Sequence, residues 1–219
     1  MCLPAKDESL KQHVNRRLSE FRKLGKEGKT FYDFNPYMDI KYEADIFSEL
    51  CFCILTANFS AEKAIKIQSK VNFSELNYKS LVYVLKNFGH RFPKQRAERI
   101  VKVKRKFEKI IKLIKEVEDP FFIRRLLADS RSEFKIEGFG YKEASHFLRN
   151  IGHDNLAILD RHVLRFLREN KLIGEVKNLT SKRYEEIERI VIDFARDLNL
   201  KPSALDLYIF YKATGKVLK

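Results

Sequence analysis

The chain has 219 residues, 44% of them hydrophobic, enough for a real core in one large domain or two small lobes. Lys plus Arg number 44 against 30 Asp plus Glu, and the net charge of +14 points to a polyanionic partner, nucleic acid ahead of an anionic membrane surface. No apolar run reaches the roughly 18 residues a membrane span needs, Met1–Glu8 turns charged before a secretory segment forms, and Cys2, Cys51 and Cys53 supply neither a disulfide scaffold nor a four-thiolate cluster, so a reducing cytoplasm is expected.

Most of the chain reads as helix. Leu10, Val14, Leu18 and Phe21 share one stripe of Lys6–Leu24, and Gly25–Lys29 reads as a turn. The aromatic stretch Phe31–Tyr42, with Pro36 inside it, is expected to be irregular. Asp45–Leu55 is the most apolar helix, with Cys51 and Cys53 as core filler. Thr56–Ser60 interrupts the pattern, and Ser60 is placed to cap the next helix. Ser80–Phe88 is a short helix ended by Gly89. Lys94–Val117 reads as one long basic helix, whose run Lys102–Lys106 either approaches a polyanion or solvates the outside.

Pro120–Ala128 is helical, and a helix ended by Gly152 follows Ile136–Ala144. Asp160 stands at the N-cap of Arg161–Glu169. Ser181–Leu198 and Ser203–Tyr211 complete an all-α chain with no strand-rich stretch. The order suggests a middle lobe at about residues 60–160 and a second lobe built from both ends.

The chemistry concentrates around Gly138-Phe139-Gly140. Glycines permit a close turn, and the amides at the following helix start can hold a phosphate without reading a base. With no preceding strand and no third glycine this is not a dinucleotide loop. Taken alone, the tripeptide is equally a plain structural turn. Lys142 begins the helix after the turn, where the positive helix end disfavours its ammonium and favours a nucleophilic amine. Asp160 lies 18 residues further on, able to offer negative charge to a developing cation. Each has a bland reading, a solvated lysine and a capping aspartate. Together with the turn and the net charge they point to one cleft. His146 and His153 lack acidic or thiol companions, which favours packing or solvent roles over zinc.

The stretches Glu49–Phe59, Asn87–Phe92, Gly138–Asn150, Ile158–His162 and Leu205–Tyr208 through Lys219 resemble the helix–hairpin–helix DNA glycosylase superfamily. More closely they resemble the archaeal-type 8-oxoguanine DNA glycosylase/lyase family, the second Ogg type. The resemblance covers most of the chain from about residue 45; the first 40 residues carry little of it. It implies a two-lobed fold in one unit spanning 1–219, with a DNA-binding cleft between the lobes. It also implies Lys142 as the nucleophile, Asp160 as the catalytic aspartate and Lys219 in recognition of the oxidised base. Phe210 stands where some members have tryptophan. The hairpin lysine implies lyase activity besides base excision, and no cofactor or metal.

In that frame the base is flipped out and Lys142 attacks the sugar, leading through a Schiff base to β-elimination. Lys219 could bring its ammonium, its stem and a terminal carboxylate to a purine edge, although terminal lysines are usually uninvolved. Besides Gly138 and Gly140, the DNA-binding candidates are Asn58 and Phe59 as a wedge, His90 and Arg91 at the opposite base or strand, and Arg161 and His162 at phosphate. The expected partner is double-stranded DNA containing oxidised guanine, met by a monomer in the cytoplasm and nucleoid. A related glycosylase for another damaged base and a noncatalytic helix–hairpin–helix DNA-binding protein stand as alternatives, with a membrane-surface protein more distant.

Overall fold

The protein is described by a computed structural model over residues 7–219. Cys2 and Lys6, the expected start of the first helix, lie outside the described residues. Those residues form eleven helices and one antiparallel pair of strands. In chain order they are α1 (Glu8–Glu27), β1 (Lys29–Asp33), β2 (Lys41–Asp45), α2 (Ile46–Thr56), α3 (Ala61–Gln68), α4 (Tyr78–Asn87) and α5 (Pro93–Lys104). There follow α6 (Phe107–Glu116), α7 (Pro120–Ala128), α8 (Tyr141–Asn150), α9 (Arg161–Glu169), α10 (Ser181–Asp197) and α11 (Pro202–Thr214).

Short polar residues start many of these helices. Asp7, Asp45, Ser60, Asn77, Asp119, Asp160 and Thr180 each accept a hydrogen bond from a first-turn amide, which satisfies a donor that has no partner within the helix. The centre of the fold is α2, whose residues from Phe47 and from Glu49 to Leu55 are buried against α3, α5, α8 and β2. Cys51 and Cys53 are free thiols in this core, their pKa pushed well up by burial, so they are inert filler.

The structure departs from the periodicity in three places. The Phe31–Tyr42 stretch is not wholly irregular: Lys29–Asp33 pairs with Lys41–Asp45, Tyr32 facing Tyr42. Thr30, Tyr32, Tyr42 and Ala44 point inward, but exposed Phe31 blurs an alternation only five residues long. Gly25 is not in a turn either. The first helix runs on to Glu27 and ends at Gly28, whose φ of +78° closes it in the left-handed region. A Cβ on Gly25 would lie 1.9 Å from the Ile151 carbonyl oxygen, so this glycine lets α1 cross the end of α8 at backbone contact. Finally, the long basic helix is two, α5 and α6, broken at Arg105–Lys106. Lys104 and Lys106 donate to the carbonyls of Ser74 and Lys135, and Lys102 pairs with Glu98 and Glu137. The basic run therefore ties loops together at the break.

Candidate active site

The turn before α8 needs glycine for two separate reasons. Gly138 has φ +84°, and a Cβ there would meet the Arg99 guanidinium at 2.3 Å. The turn closes through Phe139 N–H donating to the Ile136 carbonyl at 3.0 Å. Lys135 Nζ fastens it, donating to the carbonyls of Ala128 at 2.5 Å and Phe139 at 2.6 Å. Gly140 is the N-cap of α8, and its own N–H donates to Glu143 Oε2 at 3.2 Å. Lys142, the second residue of α8, is half-buried, with Nζ 3.5 Å from Glu143 Oε1.

Asp160 caps α9 with one oxygen only. Oδ1 accepts from the amides of His162 and Val163, both at 2.8 Å. The segment leading to it is held from α10. Tyr184 donates its hydroxyl to the Ala157 carbonyl at 2.8 Å and accepts from Leu159 N–H at 3.2 Å, while Glu188 Oε1 accepts from Ala157 N–H at 3.1 Å. Glu188 is paired with buried Arg124 at 2.5 Å, and Arg124 also donates to Ser145 Oγ of α8 at 3.3 Å. One buried polar joint thus sets α8, which carries Lys142, against the segment that carries Asp160.

Asp206 of α11 joins them and was not anticipated. Its side chain is 13% exposed and lies 3.3 Å from Arg149 Nη2. Burial pushes its pKa up to about 7, Arg149 opposes this, the Asp160 charge adds to it and the Lys142 charge opposes it. Asp160 and Lys142 both act electrostatically on this one carboxyl. The signal was an acid among Ala204, Leu205, Leu207, Tyr208 and Ile209, all buried. His146, one turn beyond Lys142, packs edge-on against Phe52. Burial, then the cations of Arg149, Lys142 and Lys219, hold its pKa well below the usual range, partly offset by a backbone hydrogen bond with Lys219. The ring is therefore neutral, and its Nε2 is buried without a partner.

The other candidates divide. Asn58 has φ +59° and Phe59 lies 4.1 Å from the His90 ring. His90, expected at the DNA, is instead 4% exposed beneath Phe59. Its Nε2 meets the Leu55 carbonyl at 3.1 Å and Nδ1 accepts from Phe92 N–H at 3.1 Å, so both nitrogens are spent on bracing the loop. Arg96 adds a hydrogen bond to the Ala57 carbonyl at 2.6 Å. Arg91 beside them is exposed. Arg161 is exposed with Nε 3.3 Å from His162 Nε2, and His162 turns its ring edge-on to Phe210 at 5.5 Å.

The Lys219 ammonium is fully buried, donating to Glu49 Oε2 and Gln68 Oε1, each at 2.6 Å. Glu49 was also missed, although a carboxylate within the most apolar helix is itself a signal.

Among the described residues no group of three or more His, Cys, Asp or Glu side chains is gathered to hold a metal ion. No described helix is long and apolar enough to cross a membrane.

Comparison with known proteins gives one answer. The family model for 8-oxoguanine DNA glycosylase matches residues 14–200. The 8-oxoguanine DNA glycosylase/AP lyase of Aquifex aeolicus is 52% identical over 213 residues, 96% of this chain and 94% of the relative. That of Methanocaldococcus jannaschii is 45% identical over 98% of this chain and 95% of the relative. The crystal structure of the M. jannaschii 8-oxoguanine glycosylase/lyase in complex with a 15mer DNA containing 8-oxoguanine superposes with a TM-score of 0.83 at 43% identity, covering 99% of this chain and 96% of that one. The Thermotoga maritima 8-oxoguanine DNA glycosylase superposes with a TM-score of 0.84 at 40% identity, covering 99% of this chain and 96% of that one. With the fold and most of the length shared, the chain belongs to the 8-oxoguanine DNA glycosylase family.

Proposed function

We propose that this protein excises 8-oxoguanine from double-stranded DNA and then cleaves the strand as an AP lyase, with Lys142 as nucleophile and Asp160 as its electrostatic partner. The observation that carries the assignment is Asp160, which spends one carboxylate oxygen on the α9 cap and stands at the end of a segment that Tyr184 joins to α8, the helix of Lys142. A fixed carboxylate and a half-buried lysine on two elements joined in the core suit a reaction in which positive charge develops on a sugar.

DNA lies in a cleft between a middle lobe at about residues 60–160 and the lobe built from both ends. The hairpin through Gly138 and Gly140 presents the opening amides of α8 to a backbone phosphate, and Arg91, Arg161 and His162 add contacts to the strand. Asn58 and Phe59 enter the gap left by the flipped nucleotide, on a loop braced from below by His90. Phe210 lines the base pocket, and Lys219 shapes it from its buried anchor.

The neutral amine of Lys142 attacks C1′, and the electron pair of the C1′–N9 bond leaves with the base, which takes up a proton. Opening of the sugar ring gives an iminium on Lys142 Nζ. Loss of a C2′ proton then expels the 3′ phosphate, and the strand is nicked. Asp160 stabilises the cationic sugar. The protein acts as a monomer on cytoplasmic, nucleoid DNA.

Borohydride trapping tests this on duplexes carrying 8-oxoguanine, an abasic site or no damage. The expected result is a covalent band with the first two, absent in Lys142→Gln. No band with either damaged duplex, from folded protein that binds DNA, leaves a monofunctional glycosylase or a noncatalytic binding protein. Faster release of oxidised pyrimidines than of 8-oxoguanine would move the substrate to another lesion.

A further inference from the structure

Glu49 is a carboxylate at the centre of the protein with no exposed surface. Burying such a charge is costly unless every lone pair is met. Here they are met from several elements. Oε1 accepts from Asn150 Nδ2 of α8 at 2.5 Å. Oε2 accepts from Lys219 Nζ at 2.6 Å, from Gln68 Nε2 of α3 at 3.1 Å and from the Tyr32 hydroxyl of β1 at 3.2 Å. Gln68 Oε1 accepts from Lys219 Nζ in turn, and from the Tyr42 hydroxyl of β2 at 2.8 Å. The Lys219 ammonium stands 4.0 Å from the Tyr32 ring centre and 4.2 Å from that of Phe52, which closes the box.

This ammonium is surrounded by its own protein and is not free for a base. It works as an anchor. Asn150 of α8, the helix that carries Lys142, holds the other oxygen of Glu49. The ammonium is therefore tied directly to α2 through Glu49 and to α3 through Gln68, and Glu49 is in turn tied to α8. An apolar contact would hold it without direction. The ion pair and its hydrogen bonds specify one geometry.

We infer that Glu49, assisted by Gln68, is a positioning residue for recognition of the oxidised base, acting through Lys219 to fix the wall of the base pocket. The inference rests on the proposed function. It predicts that loss of the clamp injures removal of 8-oxoguanine more than cleavage at an abasic site, which presents no base to recognise.

The test compares single-turnover rates of the full chain on an 8-oxoguanine duplex and on a preformed abasic duplex. Wild type, Glu49→Gln, Lys219→Met and the double variant are measured, with thermal unfolding alongside. The singles each leave a buried group unpaired and risk misfolding. The double variant places neutral side chains of similar size face to face, a replacement that buried pairs often tolerate. In the double variant the ratio of 8-oxoguanine excision to abasic cleavage is expected to fall about tenfold or more, with a melting temperature near wild type. Folded singles are expected to lose as much, and the double no more than either, since all three break one clamp. A double variant that folds and keeps the wild-type ratio overturns the inference, as does one in which both rates fall in parallel. A double variant that does not fold also overturns it, because the box is then needed for folding rather than for placing the base. Wild type inactive on both duplexes overturns the proposed function, and this inference with it.

Discussion

Tyr184 and Ser145 meet through hydroxyls 3.3 Å apart, and the same Tyr184 oxygen holds the Ala157 carbonyl and the Leu159 amide. A single buried hydroxyl thereby links α8 to the residues immediately before Asp160. The placing of Lys142 relative to Asp160, the two residues proposed for the chemistry, is expected to depend on that link. Tyr184→Phe keeps the ring and removes the link. A buried donor or acceptor left unmet costs about 1–3 kcal/mol, so urea unfolding is expected to shift by that amount. The rate of borohydride trapping on an abasic duplex is expected to fall about tenfold at saturating protein, because a small misplacement of reacting groups is amplified in rate. An unchanged trapping rate in the destabilised variant would show that the joint supports the fold alone.

The cap that Asp160 makes and the charge role proposed for it can be separated by substitution. Asn keeps the oxygen that accepts from His162 and Val163 but removes the charge, whereas Ala removes both. Asp160→Asn is expected to unfold near the wild-type urea concentration, and Asp160→Ala to lose about 0.5–2 kcal/mol with the cap. Both are expected to slow trapping by about a hundredfold or more, because the sugar cation loses its counter-charge. Wild-type trapping by the Asn variant would remove Asp160 from the chemistry.

The Asp206 carboxyl gives the protein a pH dependence of definite sign. Its pKa is raised to about 7 in the folded chain, chiefly by burial. In the unfolded chain an aspartate titrates near 3.9, so between about pH 4 and 7 the folded state holds the extra proton. The associated stability is fully present below the lower value and is lost as pH rises through the upper one. The difference in unfolding free energy, wild type minus Asp206→Asn, is expected to decline from acid to neutral pH and to level off above about pH 8. Urea unfolding of both proteins across that range decides it, and a flat difference rejects the assignment.

The helices were legible because their signals are local. Caps at Ser60 and Asp160, and apolar positions such as Ile187 and Val191, need no knowledge of distant residues, although Leu198 at the end of the same stripe is exposed. The strands were not, because five residues with exposed Phe31 leave too little alternation to read. Gly25 misled for a related reason: its lack of a side chain serves the Ile151 backbone, far away in sequence. The same limit hid Glu49 and Asp206. Each is an isolated acid in an apolar helix, and its partners Lys219 and Arg149 come from other elements. His90 shows the converse, a polar residue in a loop whose nitrogens turn out to serve backbone groups beneath the surface.

The hairpin offers a test of phosphate binding separate from base recognition. Ala at Gly138 must hold a φ near +84° and displace the Arg99 guanidinium. The left-handed conformation costs about 1–2 kcal/mol for a residue with a Cβ. The Arg99 side chain is flexible, so most of the damage is to the direction of the amides that open α8. Gly138→Ala is therefore expected to weaken binding to damaged and undamaged duplexes by the same factor. The slope of log affinity against log salt should become shallower by about one phosphate contact. Fluorescence anisotropy across a salt series, with Lys142→Gln in the background to prevent turnover, measures both. A loss confined to the 8-oxoguanine duplex would assign the hairpin to the base rather than to the strand.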